Sequence, residues 1–255
     1  IPDTEEYSYE RKMISKLKIG YSGKIAPLWG ITELIKSTED LQDIEIHVIG
    51  DKIHKNTIDY PNFNSEVTRL LEDSEHVTWH GGMERDEALA LMKTMDVAWC
   101  YRSPILELST LELSTKLVEN TRLGIPSIVT RNEINEELFG EDYPLFVTDA
   151  KEINSLLGNI VALIEEINFE EHSSQVKKYE ISNVRNTIVE PFLENLYASH
   201  SEQIKRIIIN GHDLKFIGEF ESYLKIQGHQ VKRDNWGWGE PLDIERSKFL
   251  LKWAD

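Results

Sequence analysis

Short apolar stretches alternate with helical patterns along this sequence, and this alternation restricts the fold more than any other feature. Strands are predicted at Lys18–Ser22, Ile44–Ile49, Val77–Trp79, Val97–Tyr101, Ser127–Thr130 and Leu145–Val147. Helices are predicted at Trp29–Asp40, Ser65–Glu72, Glu84–Met95, Ser114–Leu123, Ala150–Ile167 and Val184–Tyr197. Strands separated by helices at this spacing form βαβ units. The predicted fold class is therefore α/β, a parallel sheet with helices on both faces.

The turns that follow the predicted strands are candidate ligand contacts because of where a parallel sheet places them. Right-handed crossovers bring the loops at the carboxyl ends of the strands to one edge, and ligands bind at that edge in open α/β sheets. The loops concerned follow Ser22, Gly50, Gly82 and Tyr101. They predict the position of a binding site before any particular residue is considered.

The pattern of the sequence changes after Ser199. A strand at Arg206–Asn210, a helix at Phe216–Gln227 and a strand at Gln230–Arg233 are typical of the start of a new Rossmann-like domain. A truncated unit of this kind exposes apolar surface, so a homodimer is expected. The predicted division of the chain is a lead-in or interdomain linker at 1–15, a first domain at 16–203 and a truncated second unit at 204–255.

The composition restricts the partners of the protein. The net charge of the 255 residues is −17. A surface this acidic disfavours nucleic acid as a partner, because phosphate contacts need clustered Lys and Arg. A local group of cations can still bind a small anion. The single cysteine, Cys100, excludes an internal disulfide and fits a reducing compartment. Since no signal-peptide pattern occurs, the predicted location is cytoplasmic.

The stretch from Ser114 to Glu119 carries the clearest sign of chemistry. Ser114 and Thr115 open a predicted helix, whose first backbone N–H groups are free to bind an anion. Lys116 adds a positive charge at that end, and Glu119 lies one turn further on the same face. Such a set can hold a diphosphate and a neighbouring diol. An ordinary helix cap and a surface Lys116–Glu119 pair also explain these residues.

A second candidate element is the loop that contains Gly23 and Lys24. Gly23 allows the backbone to approach a ligand closely, and Lys24 lies at the carboxyl end of the first predicted strand. The spacing fits neither a Walker A loop nor a G-x-G-x-x-G turn. The loop is a candidate ligand contact, and it is also consistent with a simple turn that carries a solvated charge.

The order of these motifs resembles the C-terminal, nucleotide-sugar-binding domain of GT-B glycosyltransferases of the retaining, family-4 type. The resemblance rests on SGK, HVIGD, HVTWHGG, STKLVENTRLGIPSIV and EELFGEDYPLFV in that order, and it covers about residues 16–200. A Rossmann-like sheet is the fold that this resemblance implies. The residues after this region would then begin a second glycosyltransferase-like Rossmann domain.

The resemblance implies a role for each matching residue. Lys24 stands where the family has a cation on the donor diphosphate, and Glu119 matches the glutamate that holds the ribose hydroxyls. The implied phosphate contacts are Ser114, Thr115 and Lys116. The turn implied to lie along the nucleotide base is Gly81, Gly82 and Met83.

Two positions depart from the family pattern. The family's second cation, five residues after the first, is Trp29 here. The first glutamate of the family's paired-glutamate motif would fall at Leu111, which is not acidic. Glu112 is one residue away and is the candidate for contact to the sugar hydroxyls, with Glu107 further upstream. The candidate catalytic residues are thus Lys24 and Glu112.

The resemblance implies that a glycosyl group is transferred from a nucleotide diphosphate sugar with retention of configuration. The implied partners are this donor, an unknown glycan or lipid-linked acceptor, and a preceding N-terminal acceptor domain, since the chain does not begin with Met. The full-length protein could then lie at the inner face of a membrane, and the chain alone is expected to turn over little donor. A nucleotide-sugar epimerase of the same fold and a non-catalytic nucleotide-binding module are the alternatives.

Neither a metal nor a cofactor is expected at this site. The sequence has no Asp-x-Asp motif, and Lys24, Lys116 and a helix N-terminus can carry the phosphate charge. His76 and His80 are predicted to share a strand face, but no third ligand is in register with them. The predicted chemistry is therefore metal-independent.

Overall fold

The computed structural model of the chain describes residues 1, 3, 16–107, 109, 113–198, 206–210, 214–226 and 228–234. The chain divides into two compact units, Ile1–Val189 and Glu190–Asp255. The predicted boundary near residue 203 and nearly all of the predicted linker at 1–15 lie outside the described residues, as does Glu112. These expectations, and that of a homodimer, stay predictions.

The first unit is built around a parallel sheet of six strands. The strands are β1 (Leu17–Ser22), β2 (Ile44–Ile49), β3 (Val77–Gly81), β4 (Val97–Trp99), β5 (Ser127–Thr130) and β6 (Phe146–Val147). Their order is β3-β2-β1-β4-β5-β6, and every neighbouring pair is parallel. This is the order of doubly wound, Rossmann-like sheets. The predicted α/β fold class is confirmed.

Helices connect the strands and cover the sheet. They are α1 (Ile31–Thr38), α2 (Phe63–Asp73), α3 (Arg85–Met92), α4 (Pro104–Glu107), α5 (Thr115–Arg122), α6 (Glu133–Phe139), α7 (Ile153–Glu165), α8 (Phe169–Val176) and α9 (Ile181–Val184). β4 and β5 are buried along their whole length, as expected for strands covered on both faces. None of the described helices is long and apolar enough to cross a bilayer.

The helix α8 lies in a stretch that the sequence pattern does not predict to be helical. Its residues Ser173 and Val176 are nevertheless buried. The guanidinium of Arg122 donates from Nη1 to Ser173 Oγ at 3.1 Å and from Nε to Glu180 Oε1 at 2.7 Å. A buried ion pair between positions 58 residues apart thus fixes this segment against α5. Local periodicity carries no sign of such a contact.

The described part of the second unit is a smaller α/β element. Its members are α10 (Glu190–Ala198), β7 (Arg206–Asn210), α11 (Leu214–Ile226) and β8 (Gln230–Asp234). β7 and β8 pair in parallel, so the predicted strand–helix–strand pattern is confirmed. The buried Leu224 of α11 packs against Leu193, Phe220 and Val231.

The carboxyl ends of β1 and β2 approach each other at two glycines. Gly50 has φ = 145°, and Gly23 N donates to Ile49 O at 2.9 Å. A Cβ added to Gly50 would lie 2.1 Å from the carbonyl oxygen of Gly23, far closer than such atoms approach in proteins. Position 50 therefore requires glycine, both for its backbone angle and for this contact.

Gly50→Ala is expected to lower the free energy of unfolding by about 2–4 kcal/mol, because the methyl group strains the backbone and meets the Gly23 carbonyl. Chemical denaturation of the variant measures the loss. Gly158→Ala is the control, since Gly158 lies within α7 with open space around it and alanine is the better helix former. Wild-type stability in Gly50→Ala would contradict the close contact.

Candidate functional site

The strand order places a crevice between the carboxyl ends of β1 and β4. The sheet grows from β1 towards β3 on one side and from β4 towards β6 on the other. The connections that leave β1 and β4 therefore run to opposite faces, and the loops separate between them. Open α/β sheets bind ligands in this crevice. The loop after β1 contains Gly23 and Lys24, and the loop after β4 contains Arg102.

The turns after β1, β2 and β3 are held together by backbone hydrogen bonds. Gly50 N donates to Gly81 O at 2.7 Å, and the indole of Trp79 donates to Gly50 O at 2.8 Å. The Asp51 carboxylate lies against Gly82, where an added Cβ would be 2.7 Å from Oδ2. The predicted base-contacting turn is thus fixed at the same edge as the loop after β1.

The start of α5 presents its first backbone N–H groups at the crevice. Ser114 is the buried N-cap residue, and its side chain makes no capping hydrogen bond. Thr115 is the exposed first residue of this eight-residue helix. The first N–H groups of a helix have no partner within it, and the helix dipole adds partial positive charge there. This arrangement can bind an anion.

Lys116 lies in the crevice between two aromatic rings. Its Nζ atom is 4.3 Å from the ring centroid of Tyr21 and 4.3 Å from that of Trp29. No carboxylate of the described residues forms an ion pair with it. Burial lowers the pKa of Lys116 to about 8, and the nearby charge of Arg102 adds to the decrease, whereas Cys100 opposes it. The amine is therefore expected to change its charge at a pH of about 8.

Glu119 does not pair with Lys116. Its Oε1 atom accepts a hydrogen bond from Arg85 Nη2 at 2.7 Å, and its side chain is 28% exposed. The sequence alternative of a Lys116–Glu119 surface pair is therefore wrong. Arg85 is the first residue of α3 and lies two residues after the turn at Gly81, Gly82 and Met83. The ion pair thus connects α5 to the turn after β3.

Lys24 and Glu107, the other charged candidates that the structure describes, differ in their surroundings. Lys24 is exposed, and its carbonyl accepts a hydrogen bond from the buried Tyr21 hydroxyl. Glu107 is buried and paired: Oε1 accepts from Arg102 Nε, and Oε2 accepts from Asn132 Nδ2 at 2.7 Å. The exposed Lys24 side chain forms no ion pair with a described residue and can contact a ligand, whereas both oxygens of Glu107 are engaged.

The aromatic residues of the crevice are functional candidates that the sequence analysis does not identify. Trp29 appears there as the start of a predicted helix and as a departure from the family pattern, and Tyr21 as part of a strand. No sequence spacing connects them to Lys116, because the contact joins the ends of β1 and α5 across the sheet. An aromatic residue in place of an expected cation is the one sign that the sequence offers.

The two histidines His76 and His80 contact different partners in the structure. His76 precedes β3, and its Nε2 lies 2.9 Å from Thr38 Oγ1. His80 Nε2 lies 3.0 Å from His47 Nδ1, with the two rings stacked. Burial lowers the pKa of both His47 and His80. In the described part of the chain, no three His, Cys, Asp or Glu side chains are grouped as metal ligands are.

Comparison with known proteins gives matches at the level of structure. Neither a protein-family model nor a curated protein matches the sequence. Among solved structures, Alr3699/HepE of Anabaena in complex with UDP has 14% identity and a TM-score of 0.51, over 71% of this chain and 49% of its own. Sucrose-phosphate synthase from Thermosynechococcus elongatus has 12% identity and a TM-score of 0.55, over 72% of this chain and 46% of its own.

An isolated domain matches over nearly its whole length. The C-terminal domain of the glycosyl transferase group 1 family protein LpcC from Francisella tularensis has 18% identity and a TM-score of 0.51, over 69% of this chain and 96% of its own. This chain spans about half the length of the two larger structures. The first unit therefore has the Rossmann-like α/β fold that occurs in GT-B glycosyltransferases.

The Lys116 amine is expected to lose its proton at a pH of about 8, because burial removes solvation from the charged form. NMR of carbon-13-labelled lysine, recorded from about pH 6 to 11, measures this titration. Lys116→Met identifies the signal by its loss. A Lys116 signal that titrates at the ordinary value of 10.5 would contradict the desolvated position.

Proposed function

We propose that the first unit binds a nucleotide diphosphate sugar and supplies the donor half of a retaining glycosyltransferase of the family-4 type. The observation that carries the proposal is that a helix start without a side-chain cap lies with Lys24 and Lys116 at the switch point of the sheet, and that neither lysine forms an ion pair with a described residue. The comparisons support the proposal through the shared fold. One of the matched structures was solved in complex with UDP. The donor is a substrate, and the proposal needs no further cofactor.

The diphosphate is the part of the donor that this site is best suited to bind. Positive charge or partial charge comes from three sources: the first N–H groups of α5 around Ser114 and Thr115, the exposed Lys24, and Lys116 between its two aromatic rings. When the glycosyl bond breaks, negative charge builds on the leaving diphosphate, and fixed cations stabilise it most at that point. We therefore assign charge stabilisation to Lys24 and Lys116 without a metal.

The nucleoside is proposed to lie from the start of α5 towards the turn after β3. Glu119 is one helical turn deeper than Thr115, and its carboxylate is partly exposed. Arg85 occupies Oε1, so Oε2 can accept hydrogen bonds from the ribose hydroxyls. The base would then lie along Gly81, Gly82 and Met83. Contact of Glu112 with the sugar remains a proposal from the sequence.

The acceptor side of the reaction is proposed from the family resemblance alone. A glycan or lipid-linked acceptor and an N-terminal domain are inferred from the family resemblance. The retention of configuration has the same basis. Isomerisation of the donor without an acceptor would instead support an epimerase, and failure to bind any nucleoside diphosphate at millimolar concentration would support a non-catalytic module.

Glu119→Gln is expected to weaken binding of UDP, or of the nucleoside diphosphate that binds best among UDP, GDP and ADP, by about tenfold or more. A hydrogen bond to a charged group contributes roughly 1.5–3 kcal/mol, and the amide accepts less strongly. Calorimetric titration measures the affinity, and melting curves report folding. Glu136→Gln is a matched control, because Glu136 forms the same 2.7 Å pair with Arg131 and is also 28% exposed.

Unchanged affinity in Glu119→Gln, with a lower melting temperature, would give Glu119 a structural role only. Lys24→Ala is expected to weaken the same titration through phosphate, so its effect should decrease as salt is added. Lys151→Ala changes another exposed lysine and serves as its control. Equal losses in Lys24→Ala and Lys151→Ala would remove Lys24 from the site.

UDP affinity is also expected to depend on pH. Only the protonated amine of Lys116 attracts phosphate, and bound phosphate favours that form. The contribution is therefore complete below the free-state pKa of about 8 and is lost progressively as pH rises above it. Titrations across this range in wild type and Lys116→Met measure the difference. A pH dependence that is identical in the two proteins would contradict this assignment.

A further inference from the structure

The Lys116 side chain is held in the crevice from several sides. The rings of Tyr21 and Trp29 lie equally close to Nζ, at 4.3 Å each. Its Cδ atom lies 3.2 Å from the position that a Cβ on Gly23 would take, so the aliphatic part packs on the backbone after β1. The negative faces of aromatic rings attract an ammonium group. We call Tyr21 and Trp29 together the aromatic clamp.

The backbone position of Trp29 is set by contacts that do not involve Lys116. The indole of the buried Trp99 donates from Nε1 to the Trp29 carbonyl at 3.2 Å. The neighbouring Leu28 carbonyl accepts a hydrogen bond from Ser103 N at 2.7 Å. The loop after β1 is therefore fixed to the end of β4, and these contacts place the Trp29 backbone independently of the lysine.

The chemical nature of the clamp suits a cation that must bind an anion. A carboxylate next to Lys116 would compete with phosphate for the ammonium group and would offset its charge. An aromatic face attracts the ammonium group without a net negative charge. A lysine that is already held in place also loses less rotamer entropy when phosphate binds, so more of the interaction appears as affinity.

We propose that Trp29 is a positioning residue: with Tyr21 it holds the Lys116 ammonium group in the crevice for the diphosphate of the donor. This inference rests on the proposed function and adds how the Lys116 ammonium group of that site is held in place. Trp29 acts through Lys116 and need not touch the donor. Its effect on donor binding should therefore disappear when the lysine is removed.

A double-mutant cycle tests this dependence. UDP affinity is measured by calorimetry for wild type, Trp29→Leu, Lys116→Met and the double variant. Trp29→Leu is expected to weaken UDP binding by about three- to tenfold, the range of a partly desolvated cation–π contact. Lys116→Met should weaken it at least as much. Adding Trp29→Leu to Lys116→Met should cause no further loss.

The resonances of Lys116 give a second readout, which does not need a ligand. Ring currents from the aromatic clamp should shift the ε-methylene protons of Lys116 upfield in the free protein. Trp29→Leu should move them towards ordinary values, and Trp29→Phe should retain part of the shift and most of the affinity. If melting curves show that Trp29→Leu is unfolded, Trp29→Phe replaces it in the double-mutant cycle. The coupling energy between positions 29 and 116 is then expected to be smaller but of the same sign.

The outcomes separate this inference from the function on which it rests. If wild type fails to bind any of UDP, GDP and ADP, the proposed function is overturned. If wild type binds UDP but Trp29→Leu has no effect, or weakens binding equally in the Lys116→Met background, only the positioning role is overturned. Ordinary ε-methylene shifts for Lys116 in the free wild-type protein would overturn the aromatic clamp itself.

Discussion

The reversal of strand order between β1 and β4 is the constraint on which the rest of the site depends. Because the connections from these two strands run to opposite faces, the loops separate and leave a crevice between the carboxyl ends. The loop after β1, the loop after β4 and the start of α5 therefore border one crevice. The contact of Lys116 with Tyr21 and Trp29 lies across that crevice. A different strand order would separate these groups.

The charge distribution at the crevice explains how an acidic protein can offer an anion site. The net charge is −17, yet two acidic side chains next to the crevice are paired with arginines. Glu107 is bonded to Arg102, and Glu119 to Arg85. Among the described residues, these carboxylates leave Lys116 without an ionic partner. An aromatic environment then holds the lysine while its charge stays available for a ligand.

The fold was largely predictable because periodicity is a local property. Strands buried on both faces, such as Ser127–Thr130, stand out as apolar runs between helices, and the structure has this strand at the predicted residues. The observed ends of the helices differ from the predicted ends by a few residues, because helix caps depend on surrounding contacts. The helix α8 was missed because Ser173 is buried through Arg122, a partner remote in sequence.

The sequence by itself determined the α/β class and the edge of the sheet at which Gly23, Gly50 and Gly81 meet, because strand–helix alternation and chain handedness suffice for both. Only the tertiary structure decided which side chains pair. It joined Glu119 to Arg85 instead of Lys116, and it placed Lys116 on Trp29. Such pairings depend on distances between elements that are adjacent in space but separated along the chain, and no local pattern encodes those distances.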